Sequence, residues 1–162
     1  MHKLYLGIGG NLGDKMLNFE KAYSCIGNSV GSIIEKSSVY ETPPWGFHAK
    51  ENFWNQVLMV ETKLEPEALP DAIVEIEDRF ERKRESGRYI SREMDIDILY
   101  YDDIIMDNAR LKIPHPLMHQ RLFVLVPLVE IAPEFLHPLL KKTNRQLLAD
   151  CKDHSDITKI SF

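Results

Sequence analysis

Two aspartates, Asp95 and Asp97, lie two residues apart in a strand-like run. Side chains of a strand point alternately to its two faces, so the two carboxylates would project together, whereas a helix would separate them by about 200°. Carboxylates held this close repel each other unless a cation lies between them, and Mg²⁺ prefers such hard oxygen ligands. The pattern fits either a magnesium site or a strand with one solvated acidic face. The opposite face would pack through Met94, Ile96, Ile98 and Tyr100.

A cationic segment lies directly upstream of this pair. It contains Arg79, Arg82, Lys83, Arg84, Arg88 and Arg92. Such a run alone is typical of a solvated helix end or loop. Beside a metal site it can also form part of a polyphosphate-binding site, because a metal can bridge some phosphate oxygens while arginines bind the others. The two features together favour phosphoryl or nucleotidyl transfer.

The composition predicts one globular domain over residues 1–162, with 44% hydrophobic and 28% charged residues. The net charge of −5 argues against a general nucleic-acid binder. Cys25 and Cys151 are too few for a disulfide framework or a zinc site, which fits a reducing cytoplasm. The N-terminal apolar stretch is broken by Gly7, Gly9 and Gly10, so it predicts neither a signal peptide nor a membrane span. We therefore expect a cytoplasmic protein that binds neither nucleic acid nor membrane.

A glycine-rich turn is predicted at Gly9–Gly13, between a strand at Leu4–Ile8 and a helix that begins after Asp14. The helix is expected to run to Ile26, with Gly27 as its terminating glycine. A dinucleotide-binding G-x-G-x-x-G motif would need glycine at position 12, which is leucine, and no phosphate-binding G-K-[ST] follows. The turn is therefore interpreted as structural.

Alternating and helical patterns along the rest of the chain indicate strands separated by helices. Strands are expected at 33–41 and 53–63, and helices from Pro66, from 119 or 120 to 131, and from 143 to 151. In the second strand, one face would carry Asn55, Val57 and Met59, and the other Trp54, Gln56, Leu58 and Val60. The last helix carries the spacing of a capping box, and Glu77 lies at the edge of the apolar stripe formed by Leu69, Ile73, Ile76 and Phe80. This order predicts an α+β fold with a mostly antiparallel sheet and one open face.

Several ordered motifs resemble those of the 6-hydroxymethyl-7,8-dihydropterin pyrophosphokinase family of the folate pathway. The resemblance extends over nearly the whole chain and implies a ferredoxin-like sandwich. The motifs are Gly10-Asn11-Leu12-Gly13, Tyr40-Glu41-Thr42-Pro43-Pro44, Phe53-Trp54-Asn55, Glu77, Arg82, Arg84, Arg92 with Asp95-Ile96-Asp97-Ile98, Pro114-His115-Pro116, Arg121 with Phe123, and Pro127 to Pro133.

The resemblance implies a monomeric enzyme that transfers pyrophosphate from ATP to 6-hydroxymethyl-7,8-dihydropterin and releases AMP. Asp95 and Asp97 would hold two Mg²⁺ ions, and Arg82 and Arg92 would act on the triphosphate as catalytic residues. The ATP site would further include Glu77, Arg84, Ile98, His115 and Arg121. The pterin site would consist of Thr42, Pro43, Pro44, Trp45, Phe53, Asn55 and Phe123.

The residues alone leave other interpretations open at several of these positions. Phe53 and Phe123 fit an ordinary core, His115 fits a turn between two prolines, and Asn55 fits a structural hydrogen bond. For the whole chain, the alternatives are a nucleotidyltransferase that uses the Asp-x-Asp site, or a non-catalytic ferredoxin-like module. A module that reads single-stranded RNA would need exposed aromatics and a basic face, which the sequence does not show.

Three positions depart from the pattern of the family. Ile90 stands where glycine is common, Glu93 stands where threonine is common, and Lys83 adds a charge beside the loop arginines. Because a β-branched residue disfavours positive φ, we expect an extended chain leading into Arg92. We also expect segments 45–52 and 83–91 to be mobile without ligands and to close over the bound substrates.

Overall fold

The computed structural model describes residues 1–43, 51–85 and 89–161, with the backbone alone at 82–85 and 89–90. The helices are α1 (Lys15–Ser29), α2 (Leu69–Glu77), α3 (Leu122–Ile131) and α4 (Asn144–Asp150), with 3₁₀ turns at Pro66–Ala68 and Met118–Gln120. The strands are β1 (His2–Gly10), β2 (Gly31–Lys36), β3 (Tyr40–Thr42), β4 (Phe53–Thr62), β5 (Arg82–Glu85), β6 (Tyr89–Arg92), β7 (Asp95–Tyr101), β8 (Met106–Asp107), β9 (Lys112–Ile113) and β10 (Thr158–Lys159).

Six strands within the described ranges form one antiparallel sheet in the order β10-β3-β4-β1-β7, with β2 also paired to β4. Along the chain, β1, α1, β2, β4, α2 and β7 give the strand–helix–strand–strand–helix–strand order of a ferredoxin-like fold. Strands β5 and β6 form a separate two-stranded ribbon, as do β8 and β9. The predicted α+β class is confirmed.

The two faces of the sheet are covered by different helices. The first apolar cluster includes Phe19 and Ile26 of α1, Ile73 and Ile76 of α2, and Leu58 of β4. The second apolar cluster includes Tyr5, Val57 and Tyr100 of the sheet together with Val124 and Leu128 of α3. The alternation predicted for β4 is therefore confirmed. The face expected to be open is covered by α3 over part of its length and is bare at the Gly7–Gly9 end of β1.

A register shift in β7 corrects the predicted alternation of the aspartate strand. Leu6 pairs with Ile98 and Tyr5 pairs with Tyr100, so Leu99 is an extra residue in β7. Because a β-bulge reverses the alternation beyond it, Tyr100 lies in the second apolar cluster, on the face of the aspartates. Ile96 and Ile98 pack in the first cluster as predicted.

The predicted turn and helix after β1 also need correction. Gly9 and Gly10 belong to β1, which is longer than expected. Helix α1 is capped by Asp14 as predicted, since the Asp14 carboxylate accepts from Leu17 N at 3.1 Å, but it continues past Gly27 to Ser29. One glycine costs a helix interior only about 1 kcal/mol, which the buried stripe of α1 overrides.

Other predicted boundaries shift by a few residues. The strand expected at 33–41 is split into β2 and β3 around Ser37–Val39. The helix expected from 119 or 120 begins as a 3₁₀ turn, is broken by extended Arg121 (φ −128°), and continues as α3 through Pro127. The capping box of α4 is confirmed at Thr143 and Gln146. Among the described residues, no helix is long and apolar enough to cross a bilayer.

Candidate functional site

A cavity forms on the sheet because the central strand carries glycines opposite the aspartates. Gly9 pairs with Asp95 and with Asn55, and Gly7 pairs with Asp97. Neither glycine raises a side chain between the flanking strands, so the sheet surface is hollow there. The resulting cavity has a volume of about 980 Å³. These glycines were not predicted to belong to the site, although their spacing of two in a strand was the available signal.

The cavity brings together half of the residues predicted for the site. Its lining includes Thr42, Phe53, Asn55, Arg92, Asp95, Asp97, Arg121 and Phe123. Glu77, Ile98, His115 and Pro43 are described but are not among the lining residues. Pro44 and Trp45 lie outside the described residues, as do the side chains of Arg82 and Arg84.

The Asp95 carboxylate already has a cationic partner. Arg92 Nη1 lies 2.8 Å from Asp95 Oδ1. The Nε of Arg92 is buried and has no hydrogen-bond partner in the described part of the chain. The guanidinium is therefore anchored to the carboxylate through Nη1, and the rest of the side chain, 26% exposed, lines the cavity.

Asp97 has a strongly perturbed acidity. Burial, reinforced by the negative charge of Asp95, raises its pKa from the usual 3.8 to about 6, against the opposing effects of Arg121 and Arg92. A divalent cation beside the pair would favour its ionised form. Within the described residues, no cluster of three or more His, Cys, Asp or Glu side chains includes the pair. Two carboxylates with open positions fit Mg²⁺, which usually keeps several waters and binds substrate phosphates.

Arg121 lines the cavity as a second cation, and its charge also acts on His115. His115 Nδ1 accepts a hydrogen bond from Leu117 N at 3.1 Å, so its neutral ring carries the proton on Nε2. Burial and the charge of Arg121 lower the pKa of His115, while Asp95 opposes that shift. His115 therefore offers an Nε2–H donor near neutral pH.

Two aromatic side chains, Phe53 and Phe123, form another part of the cavity wall. Phe53 begins β4 and pairs across the strands with buried Thr42 of β3. Phe123 is half-buried, packs partly against the second apolar cluster, and has the Arg121 guanidinium 5.5 Å from its ring centroid. Phe123 is thus both part of the core and part of the cavity wall, which combines the two interpretations of the sequence.

Glu77 acts on the aspartate strand from outside the cavity. Its Oε2 accepts a hydrogen bond from Ile96 N at 2.9 Å. Ile96 lies between the two aspartates, so Glu77 fixes the peptide that carries them. Ile98 is buried in the first apolar cluster, on the opposite face of β7.

A C-terminal segment that was not predicted to reach the site also lines the cavity. Asp150, Cys151, Lys152 and Asp153 line the cavity beside Phe123. Asp153 Oδ2 accepts from Leu122 N at 3.0 Å and so holds the first residue of α3. Contacts between residues about thirty positions apart leave no local pattern, so nothing in the sequence signalled this one.

The arginine segment forms a ribbon rather than a loop over its described part. Strand β5 pairs with β6, with Arg82 opposite Arg92 and Arg84 opposite Ile90. The extended path expected into Arg92 is confirmed. The predicted mobility of 45–52 and 83–91 stays a prediction, and residues 44–50 and 86–88 lie outside the described ranges.

Comparisons with known proteins show which family the chain resembles. The sequence model of the 7,8-dihydro-6-hydroxymethylpterin-pyrophosphokinase (HPPK) family matches residues 5–133. A 2-amino-4-hydroxy-6-hydroxymethyldihydropteridine pyrophosphokinase of Aquifex aeolicus is 41% identical over 142 residues, 88% of each chain. One of Methylorubrum extorquens is 36% identical over 161 residues, 99% of each chain.

A solved structure extends the likeness to the fold. The wild-type HPPK-DHPS protein of Plasmodium falciparum superposes with a TM-score of 0.74 at 18% identity, over 91% of this chain and 44% of that one. This chain therefore spans less than half of that larger protein. The structural match shows the shared fold, and the family model and the curated relatives show the lineage. The chain belongs to the 7,8-dihydro-6-hydroxymethylpterin-pyrophosphokinase family.

Proposed function

We propose that the protein transfers pyrophosphate from ATP to 6-hydroxymethyl-7,8-dihydropterin. The hydroxymethyl oxygen attacks the β-phosphorus of ATP and loses its proton, the bond between the α,β-bridging oxygen and the β-phosphorus breaks, and AMP leaves. The observation that carries this proposal is the single cavity in which a carboxylate pair, two arginines and an aromatic wall meet. The carboxylates and arginines suit the phosphates of ATP, and the aromatic wall suits the pterin ring.

Asp95 and Asp97 are proposed to hold two Mg²⁺ ions together with the phosphates of ATP. Bound metal would neutralise charge on the transferring group. The residues fit this role because they are hard oxygen donors on one face of one strand. Burial and the neighbouring Asp95 charge raise the pKa of Asp97 despite Arg121 and Arg92, and a bound cation would offset both effects.

Arg92 is proposed to hold Asp95 through Nη1 while the exposed part of its guanidinium donates to a phosphate oxygen. The support is geometric, because Nη1 contacts Asp95 and the side chain, 26% exposed, lines the cavity. Arg121 and the Nε2–H of His115 are proposed to add phosphate contacts. Arg82 and Arg84 would join from the ribbon, and Glu77 and Ile98 would support the nucleotide site from the strand.

The pterin is proposed to lie between Phe53 and Phe123. A flat polar heterocycle needs aromatic faces and a few partners for its edge. Asn55 and the backbone at Thr42 provide such partners at one end of the cavity. Pro43, Pro44 and Trp45, which follow β3, are proposed to complete this edge.

We assign no general base to the hydroxyl proton, although His119, Asp150 and Asp153 also line the cavity. Positioning of the two substrates and stabilisation of developing charge by arginines and metal would therefore supply most of the rate. We also propose that residues 1–162 act as one monomeric catalytic domain in the cytoplasm. The free thiols of Cys25 and Cys151 agree with a reducing compartment.

The alternative functions fit the cavity less well. A nucleotidyltransferase would direct attack at the α-phosphorus and release pyrophosphate, and the family relationship does not favour it. A non-catalytic module for RNA would place a carboxylate pair on the sheet face that must meet phosphate, which repels the ligand unless a metal intervenes.

Mass spectrometry of the products separates these functions. The protein is incubated with ATP, Mg²⁺ and 6-hydroxymethyl-7,8-dihydropterin, and the proposal predicts equal amounts of AMP and a diphosphorylated pterin. Pyrophosphate with an adenylylated product would indicate nucleotidyl transfer, and unconsumed ATP would contradict catalysis. A parallel reaction with Asp97→Asn shows that turnover belongs to this site and not to a contaminant.

A further inference from the structure

The turn after β1 binds both backbone polar groups of Arg92. Asn11 N and Leu12 N donate to the Arg92 carbonyl oxygen at 2.9 and 3.2 Å. Arg92 N in turn donates to Asn11 Oδ1 at 3.0 Å. Residues far apart in sequence are thereby locked together at the point where the ribbon enters the site.

The side chain of Asn11 is wholly committed to this contact. It is 1% exposed, and its Nδ2 donates to Ser91 Oγ at 3.2 Å. A buried amide that is satisfied at both ends fixes one conformation, and losing it leaves buried groups without partners. Asn11 therefore specifies the path of the chain at Ser91 and Arg92.

Gly10 and Glu93, which are next in sequence to Asn11 and Arg92, also support the contact between the turn and the ribbon. A Cβ on Gly10 would overlap the carbonyl group of Glu93, so only glycine allows the strand to approach this closely. Glu93 N donates to Glu81 O at 2.8 Å, and Glu93 Oε1 accepts from Glu81 N at 2.7 Å. Glu93, which departs from the common threonine, thus ties the base of the ribbon together.

We propose that Asn11 is a positioning residue for Arg92. By fixing the backbone of Arg92, it holds the guanidinium in register with Asp95, 2.8 Å away. Charge-stabilising donors are effective only when they are held in place before the reaction, and a displacement of about 1 Å can cost about 10²-fold in rate. This inference rests on the proposed contact of Arg92 with the phosphates, and it gives the glycine-rich turn a role in catalysis.

A double-mutant cycle between Asn11→Ala and Arg92→Ala tests the proposal. Coupling energies between residues in contact imply that Asn11→Ala lowers kcat by about 5- to 30-fold in the wild-type background, with the KM for the pterin changed less than about twofold. In the Arg92→Ala background the same change should lower kcat less than about twofold. A purely structural role for Asn11 would instead give the same loss in both backgrounds.

Asn144→Ala is the matched control. Asn144 is also fully buried, accepts from Tyr100 Oη at 2.7 Å and donates to Ala132 O at 2.8 Å, but it does not line the cavity. It should lower the melting temperature while leaving kcat of the folded protein unchanged in either background. An equal kcat loss for Asn144→Ala and Asn11→Ala would overturn the positioning role, because destabilisation alone would then explain both.

A milder variant keeps the test decisive if Asn11→Ala fails to fold. Ser91→Ala removes only the hydroxyl that accepts from Asn11 Nδ2, and the proposal predicts a loss of about threefold in kcat that vanishes with Arg92→Ala. An additive Ser91→Ala cycle would overturn the inference. Near-wild-type turnover of Arg92→Ala itself would instead refute the proposed role of Arg92, which separates that failure from a failure of the inference.

Discussion

Replacing Asp97 with asparagine should stabilise the metal-free protein while removing its activity. Burial and Asp95 raise the Asp97 pKa from 3.8 to about 6, so the native state keeps a proton that the unfolded state releases between about pH 4 and 6. Wild-type stability attributable to this group is therefore lost as the pH rises through that window. Two pKa units correspond to up to about 3 kcal/mol, which Asp97→Asn should recover at pH 7 and above but not at pH 4.

Urea denaturation of both proteins in chelator, at intervals from pH 4 to pH 8, measures this difference directly. Activity with saturating Mg²⁺ should fall by at least about 10²-fold, as for the loss of one transition-state stabiliser. Asp95→Asn is the control, since Asp95 already pairs with Arg92 at 2.8 Å and its loss removes a favourable contact. A stability difference that does not change with pH, or an Asp97→Asn protein less stable than wild type at pH 7, would refute the reasoning.

Three further substitutions distinguish residues that contact the substrates from residues that only support the fold. Phe123→Ala should weaken the binding of pterin by roughly 0.5–1.5 kcal/mol more than the binding of ATP, because an aromatic stacking surface is lost. Calorimetry with each ligand tests this. Equal losses of affinity for the two ligands would mean that Phe123 is a core residue only. Gly9→Ala should displace both the Asn55 side chain and the Trp54 carbonyl group, which occupy the space of the new Cβ, and raise the KM for the pterin by about tenfold or more. Gly7→Ala, whose Cβ meets only ordinary contacts, is the control, and equal effects would contradict the role of this strand edge in pterin binding. Gly27→Ala should raise the free energy of unfolding by roughly 0.5–1 kcal/mol, since the helix position is open and exposed, and a loss in urea denaturation would contradict this.

Local patterns were sufficient for the parts of the fold that depend on local chemistry. The period of two placed Val57 and Leu58 on opposite faces, and the same rule placed Asp95 and Asp97 on one. Asp14 began α1 as its hydrogen-bonding chemistry predicted. These features follow from single elements and do not need knowledge of neighbours.

Features that depend on pairing between distant strands were missed. The bulge at Leu99 arises from the register of β7 against β1, so the sequence of β7 alone could not show that Tyr100 changes face. The cavity depends on Gly7 and Gly9 lying between the strands of Asp97 and Asn55, which is a property of the assembled sheet. Helix α1 passed Gly27 because packing of its buried face outweighs the preference of one residue.

The central claim is that Asp95 and Asp97 hold the metal that binds the phosphates. It is tested most directly by counting bound Mn²⁺, as a substitute for Mg²⁺, by electron paramagnetic resonance. The protein is saturated with a non-hydrolysable ATP analogue and the pterin, and free metal is measured in wild type and in Asp97→Asn. Two bound ions are expected in the wild type, and at least one should be lost in the variant. Equal metal binding by both proteins would contradict the central claim.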